Sequence, residues 1–238
     1  MITLYQYPPA MGLPNASPFC MKIETWLRMA ELDYQVELMP DPRKTPYGKL
    51  PMIDHDGHKV PDSGCIIPYL EQACGVNLDA SLSLEQKAIG HAYTRMLEEH
   101  SYWGLVYGRW LDDNTWPQVR EVWFGKMPPG VKQLLSRYLR KLVRRDAHGQ
   151  GLSRHPQEEV MRRLGLDMEA VSQQLGDKDY FLASEPHNVD ATIFAFLSNI
   201  ARADLDDSLK PLVNAHANLV AYCDRMQARY FGNKSQVV

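Results

Sequence analysis

The stretch KLPMIDHDGHKVPDS, Lys49 to Ser63, constrains what this chain can fold into more tightly than any other. Leu50-Pro51-Met52-Ile53 leads into a short strand, Asp56-Gly57 makes a tight hairpin turn, and His58 to Pro61 returns as a second strand. Asp-Gly suits a two-residue turn because both central residues can take positive φ there. A proline at the head of a strand belongs at an edge or first position, where no ladder donor is lost. Were the Leu50-Pro51 peptide cis, the Leu50 backbone would stay free to pair with an extended ligand. Asp62 and Ser63 then stand where a helix should begin, just before Cys65-Ile66-Ile67 and Tyr69-Leu70. Amides at that helix start would face a carboxylate. Together these features make a cradle for a small acidic peptide.

The segments before the hairpin extend this pattern. Ile2 to Tyr7 is rich in β-formers and stops at Pro8-Pro9. A proline-punctuated loop follows through Met11, Gly12, Leu13, Pro14 and Asn15. Ser17-Pro18 reads as an N-cap with proline at the first helical position. Phe19, Ile23, Trp26, Leu27 and Ala30 recur at helical spacing, which predicts an amphipathic helix over 18–31. Tyr34 to Leu38 is a second strand, and a helix runs from about Ser63 to Cys74, ending at Gly75. The order β-α-β, irregular loop, β-β-α, with mixed strand directions and one crossover, is the thioredoxin-like pattern.

From Leu84 onward no strand is expected. Helices are predicted at 84–112, 116–125, 129–147, 155–176, 188–203 and 211–231, separated by Pro117, Pro128-Pro129, Gly149-Gln150-Gly151, Pro186 and Pro211. Val76 to Ser83 is the linker, so an α/β domain at 1–76 precedes an all-helical domain at 84–238. A chain of 238 residues, 45% of them apolar, has ample material for a packed core. A net charge of −3 argues against a nucleic-acid partner. Cys20, Cys65, Cys74 and Cys223 show neither zinc spacing nor the density of a secreted disulfide scaffold. His148 and His155 complete no ligand set, so no metal is expected. The first residues lack a signal-peptide pattern, and no apolar run reaches the ~20 residues that span a bilayer. A soluble, reduced, cytoplasmic protein without membrane insertion is expected. The basic run Arg137 to Arg145 reads as a solvated face, with an acidic partner surface as the alternative.

The Leu50-Pro51-Met52-Ile53 box, followed by Asp62-Ser63 at a helix start, is similar to the glutathione-binding signature of the glutathione transferase superfamily. Ser17-Pro18-Phe19-Cys20 matches the position where serine-type members carry an activating hydroxyl. More narrowly, SPFCMKIETWLRMA, GKLPMIDHDGHKVPDS, YWGLVYGRWLDDNTW, GLSRHPQEEV and LGDKDYFLASEPHNVDATIFAFL resemble the failed-axon-connections branch, itself related to the metaxins. The likeness extends over nearly the full length; its later segments identify the branch and not a reaction. It implies an N-terminal thioredoxin-like domain (β-α-β-α-β-β-α), an all-helical C-terminal domain, glutathione as co-substrate between them, and a homodimer. Two positions depart from the family's pattern. Pro68 falls inside the helix capped by Asp62 and should bend it. His187 stands where relatives carry a capping threonine, which leaves Asn188 to cap or weakens the capping box before Asp190.

The resemblance also assigns roles. A thiol of pKa ~8.5 is only a few per cent ionised at neutral pH, and the thiolate is the nucleophile. Ser17 would donate a hydrogen bond to the glutathione sulfur at the mouth of the first helix; capping of the Cys20 amide is its ordinary alternative. No base stands near Ser17 in sequence, so a serine-hydrolase role is unattractive. Cys20 would form a mixed disulfide with glutathione, or else is a small buried hydrophobe; with Ser17 at the first position of the motif, a dithiol cycle is missing. Ser63 would hold the γ-glutamyl carboxylate, Asp62 its ammonium group, the Leu50 backbone the cysteinyl unit beside Pro51, and Lys49 the glycyl carboxylate. Met11, Leu13, Trp103, Tyr107 and Trp110, with Tyr102 beside them, would roof an apolar pocket for an electrophile, and Arg109 would add an anion site. The aromatic stripe reads equally as core or dimer interface. Three functions follow: conjugation of glutathione to a small electrophile, glutathione-dependent disulfide reduction through Cys20, and a non-enzymatic adaptor that keeps the fold.

Overall fold

The computed structural model describes residues 1–232; the end of the expected helical domain, 233–238, lies outside the described residues. The N-terminal domain comprises β1 (Ile2–Gln6), α1 (Pro18–Met29), β2 (Tyr34–Leu38), β3 (Met52–His55), β4 (His58–Pro61) and α2 (Ser63–Cys74). The sheet order is β2-β1-β3-β4, with β1 parallel to β2 and the other pairs antiparallel. Asp56 and Gly57 take φ of 53° and 89°, the conformation their turn requires. Between β2 and β3 the chain makes a single 3-10 turn, Pro42–Lys44, where the implied element order has a helix. Pro46 explains the brevity: the residue before a proline is driven out of the helical region, and Thr45 is extended at φ −92°, ψ 158°. α2 runs through Pro68 without a break in its span.

The helical domain begins with α3 (Leu84–Arg95) and α4 (Tyr102–Val106), joined by a π turn at Met96–Ser101 and followed by another at Tyr107–Leu111. Then come α5 (Trp116–Phe124), α6 (Pro129–Gln150), α7 (Gln157–Leu175), α8 (Asn188–Ala201), α9 (Lys210–Asn214) and α10 (Ala217–Phe231). The helix expected over 211–231 is therefore two, divided where His216 turns extended at φ −113° and ψ 99°. Val213 and Leu219 are both fully buried, and at six residues' separation they would stand about 120° apart on one continuous helix; the break lets both reach the core.

The two domains share one core. Ten of the 12 residues of α1 are buried, because the sheet and α2 cover one flank and α8 covers the other. Leu4, Trp26 and Ile53 belong to the same apolar cluster as Leu97, Phe181 and Phe194. Polar ties cross the same boundary. Trp26 Nε1 donates to Asn188 Oδ1 at 2.6 Å, and Asn188 Nδ2 donates to Glu71 at 2.8 Å. Lys22 and Glu98 form an ion pair at 2.6 Å with each side chain 5% exposed. Asn188 is thus used as a bridge between the domains. At the start of α8 the carboxylate arm belongs to Asp190, which accepts the amides of His187 (2.8 Å) and Phe181 (2.9 Å) and the Tyr222 hydroxyl (2.9 Å). The His187 ring lies instead 3.1 Å from the Ser81 hydroxyl.

Candidate functional site

Ser17 caps α1 from extended backbone, φ −95° and ψ 119°, and its Oγ accepts the Cys20 amide at 3.4 Å. That bond leaves the hydroxyl's single proton uncommitted, with the Cys20 sulfur as a neighbouring acceptor. Asn15 fixes the approach to this cap: its Oδ1 accepts the Ser17 amide at 2.9 Å and its Nδ2 donates to the Tyr7 carbonyl at 2.7 Å. The hydroxyl therefore sits at the positive end of a three-turn helix, a favourable place for an anion.

Cys20 is fully buried against Leu50 and Met52, with Tyr5, Tyr7 and Met39 around them. Burial pushes its thiol up to about 12, while hydrogen bonds from the Ser17 side chain and the Tyr7 backbone pull the other way. A protonated, inaccessible sulfur has neither the charge nor the exposure that disulfide exchange needs. The redox role expected of Cys20 thus lacks its nucleophile, and the residue acts as a small apolar wedge that presses the first turn of α1 against the Leu50–Met52 segment.

The Leu50-Pro51 peptide is cis. The Leu50 amide and carbonyl hydrogen-bond to none of the described residues, because the β3 ladder begins at Met52. The Pro51 carbonyl accepts the Asp62 amide at 3.3 Å, which ties the start of α2 to the same box. Asp62 itself sits at φ 74°, a strained value for a non-glycine residue, and its Oδ1 accepts the Gly64 amide at 2.7 Å. Ser63 is buried, and its hydroxyl makes no hydrogen bond with the described residues. It lines a groove of about 330 Å³ between α2 and α3, together with Gly64 and Arg95. Lys49 is exposed at the other end; its amide donates to the Thr45 hydroxyl at 3.0 Å. Ser17, Leu50, Pro51, Asp62, Ser63 and Lys49 are thereby gathered along one edge of the domain.

The aromatic roof is divided. Met11, Leu13 and Trp110 join Trp116, Val119 and Phe124 in a packed apolar cluster, whereas Trp103 and Tyr107 pack against the main core. The reason is the π turn at Tyr107–Leu111: its i→i+5 bonding widens the turn and swings Trp110 away from the face that α-helical spacing assigns it. α5 supplies Trp116, Val119 and Phe124 to the cluster that holds Met11 and Leu13. Arg109 is also reassigned. It is buried, its guanidinium donates to the carbonyls of Ala16 and Asn199 at 2.7 Å each, and burial pulls its pKa down to about 10. Two of its nitrogens tie the loop before α1 to α8, and its burial keeps it from the surface where an anion site was expected.

Three contributors have weak sequence signals. Asn15 is an Asn two residues before a capping serine, an arrangement that favours an Asx turn. Thr45 is buried in the loop before Lys49, where it reads as an ordinary loop residue. Tyr7 lies just beyond β1 and packs beside Cys20, with its ring 5.7 Å from that of Trp123. Burial raises the Tyr7 phenol above its ordinary value, so it is a proton donor at neutral pH.

Residues 18–115 match the glutathione S-transferase N-terminal domain and residues 165–226 the glutathione S-transferase C-terminal domain. The isoprene-epoxide–glutathione S-transferase of Rhodococcus sp. (strain AD45) is 34% identical over 237 residues, covering 97% of this chain and 99% of that protein. Failed axon connections of Drosophila melanogaster is 28% identical across 100% of this chain, which spans 60% of that protein's length. Human metaxin-2 is 26% identical over 91% of this chain and 83% of its own. The crystal structure of the β-etherase LigF from Sphingobium sp. strain SYK-6 superposes with a TM-score of 0.63 at 20% identity, covering 95% of each chain, and so shares the fold. With both domains of one family matched in order, and a relative aligned from end to end, the chain belongs to the glutathione S-transferase family.

Proposed function

We propose that the chain binds glutathione along the Leu50 edge and uses the Ser17 hydroxyl to hold its sulfur as the thiolate for attack on a small electrophile. The observation that carries this reading is the Leu50 backbone, unpaired among the described residues, beside a first turn of α1 whose Cys20 packs on Leu50 and whose cap is the Ser17 hydroxyl. Ser63 and Gly64 serve the γ-glutamyl carboxylate, Asp62 the ammonium group and Lys49 the glycyl carboxylate. An epoxide is the first electrophile to test, since the Rhodococcus relative is named for one. In that reaction a carbon–sulfur bond forms as an epoxide carbon–oxygen bond breaks, and the alkoxide takes a proton from water. A homodimer in the cytoplasm belongs to the same proposal.

The test is the pH titration of the bound thiolate, read by its ultraviolet absorbance. Bound glutathione in the wild type is expected to ionise at least about one pH unit below the free thiol, equivalent to about 1.4 kcal/mol. S17A should abolish most of that shift. If Y7F abolishes it and S17A does not, the donor is Tyr7 and the assignment of Ser17 is wrong.

A second reading has its own support. The packed cluster of Met11, Leu13, Trp110 and Trp116 leaves the electrophile little room, and metaxin-2 and Failed axon connections are relatives. On this reading the chain is a non-catalytic adaptor built on the transferase fold. It predicts no heat on calorimetric titration with glutathione, whereas the first reading requires saturable binding.

A further inference from the structure

The basic run that sequence alone reads as a solvated face converges on a cleft. Arg137, Arg140, Lys141 and Arg144 occupy one stripe of α6, and Arg120 of α5 faces them across about 290 Å³ of space. Buried Trp116 and Ser136 also line it. The chain as a whole is acidic, with a net charge of −3, so this concentration of cations does not follow from composition.

Like charges at i, i+3 and i+4 on a helix repel, and such a stripe needs compensation. Here one carboxylate serves the cluster: Asp113 accepts from Arg140 at 2.7 Å and from Arg144 at 3.2 Å. Arg120, Arg137 and Lys141 have no carboxylate partner among the described residues. Arg120 Nε is buried and has no acceptor among the described residues, a condition native structures usually relieve with an ion or ordered water. Arg140 is fixed in place. It stacks 4.8 Å over the Trp116 ring and donates to the Trp110 and Leu111 carbonyls. Partial burial and the Arg144 charge pull its pKa down against the pull of Asp113.

We infer that this cleft between α5 and α6 is a binding site for the phosphoryl group of a small phosphate monoester. Guanidinium forks approach from two helices, and a phosphate monoester offers three acceptor oxygens and close to two negative charges to meet them. A planar monocarboxylate has two oxygens and one charge, and would leave most of these donors unserved. The concave floor formed by buried Trp116 and Ser136 and the buried Arg120 Nε favour a compact group over a flat macromolecular surface. The site is separate from the glutathione edge; Trp116 lies between it and the Met11–Leu13 cluster.

The full chain is titrated with inorganic phosphate, phenyl phosphate and succinate at constant ionic strength, by calorimetry and thermal melting. Both phosphates are expected to bind with a dissociation constant below about 1 mM and to raise the melting temperature. R137Q/K141Q should weaken phenyl phosphate at least about tenfold, as should R120K, which keeps the charge but loses the planar fork. R145Q, whose side chain pairs with Asp146 outside the cleft at 2.9 Å, should bind as wild type. Because Arg137 and Lys141 are exposed, their variant keeps the test valid should R120K fold poorly. Absence of phosphate binding, equal binding of succinate, or equal loss in R145Q would overturn the proposal. Exposed Val131, Leu134 and Tyr138 on the same helix motivate a further arm with phosphatidylserine vesicles. Vesicle binding without binding of soluble phosphates would assign the cleft to a membrane surface and reject the small-molecule site.

Discussion

A single hydroxyl proton carries the proposed chemistry, and its loss has a specific pH signature. With Ser17 removed, the glutathione thiolate loses one charge-assisted hydrogen bond, worth about 1.5–3 kcal/mol. For S17A, kcat/KM at neutral pH is expected to fall about 10- to 100-fold, with the deficit shrinking above the ordinary thiol pKa. A deficit independent of pH in steady-state assays would show that Ser17 acts on binding alone. Asp190 makes a second residue-level prediction, with the opposite sign from the usual carboxylate. Burial raises its folded pKa to about 6, against about 3.9 in an unfolded chain. Between those values the folded state holds the proton and the unfolded state does not. This group's contribution to stability therefore falls as pH rises from about 4 to about 6, by roughly 3 kcal/mol in total, and is flat above. In urea unfolding, the stability advantage of wild type over D190N should be larger at pH 4.5 than at pH 7. The reverse trend would mean that its three hydrogen-bond donors outweigh burial. At this scale the sequence discloses Ser17, Asp62 and Ser63 as helix starts, because each carries a local capping signal. It hides Asn15 and Thr45, whose work is to hold backbone that only the folded loop brings near. It misplaces Arg109, since nothing in its neighbours announces burial against Asn199, 90 residues away.

Elements were most legible where punctuation and period agree. The Asp-Gly hairpin, the capped α1 and the glycine-ended α2 follow from local chemistry alone. Two π turns in the rod after Leu84 and the break at His216 do not, because they answer to packing partners elsewhere in the chain. The aromatic stripe packs as core, one of its two sequence readings, but Trp110 joins a different cluster from Trp103 and Tyr107, because a face inferred at 3.6 residues per turn does not carry across a wider turn. The Lys22–Glu98 pair between α1 and the first π turn gives a sharp test of element docking. Glu98 also takes Arg95, so E98A leaves Lys22 buried and uncompensated. Its expected cost is about 3–5 kcal/mol, a fall of about 6–20 °C in Tm for a chain of this size. The double variant K22M/E98M should recover most of that loss, since well-packed apolar groups replace a buried pair at little cost. Failure of the double variant to recover would show that the charges, and not the volume, hold the helices in register.

The core shared by the two architectures should make the whole molecule one thermodynamic body. α1 is covered by the sheet domain on one side and α8 on the other, and the apolar cluster runs through both. Fluorescence of the tryptophans, which lie in both domains, and far-ultraviolet circular dichroism should therefore report one coincident transition in denaturant. Separate midpoints would indicate that the shared core is energetically divisible. The domain order is legible because strands cease after Leu84, whereas the depth of the contact is not: α1 reads as amphipathic, yet Lys22, Glu24 and Thr25 of its polar positions are buried as well. That contact also limits how the chain can be recombined with its relatives. A crossover in the Val76–Ser83 segment looks harmless, since it cuts no helix or strand. Yet it would pair an α1 from one parent with an α8 from another, two surfaces that pack closely on each other here. Chimeras that exchange α1 and α8 as a matched set should fold, while those split at the linker inherit an interface that no ancestor ever tested.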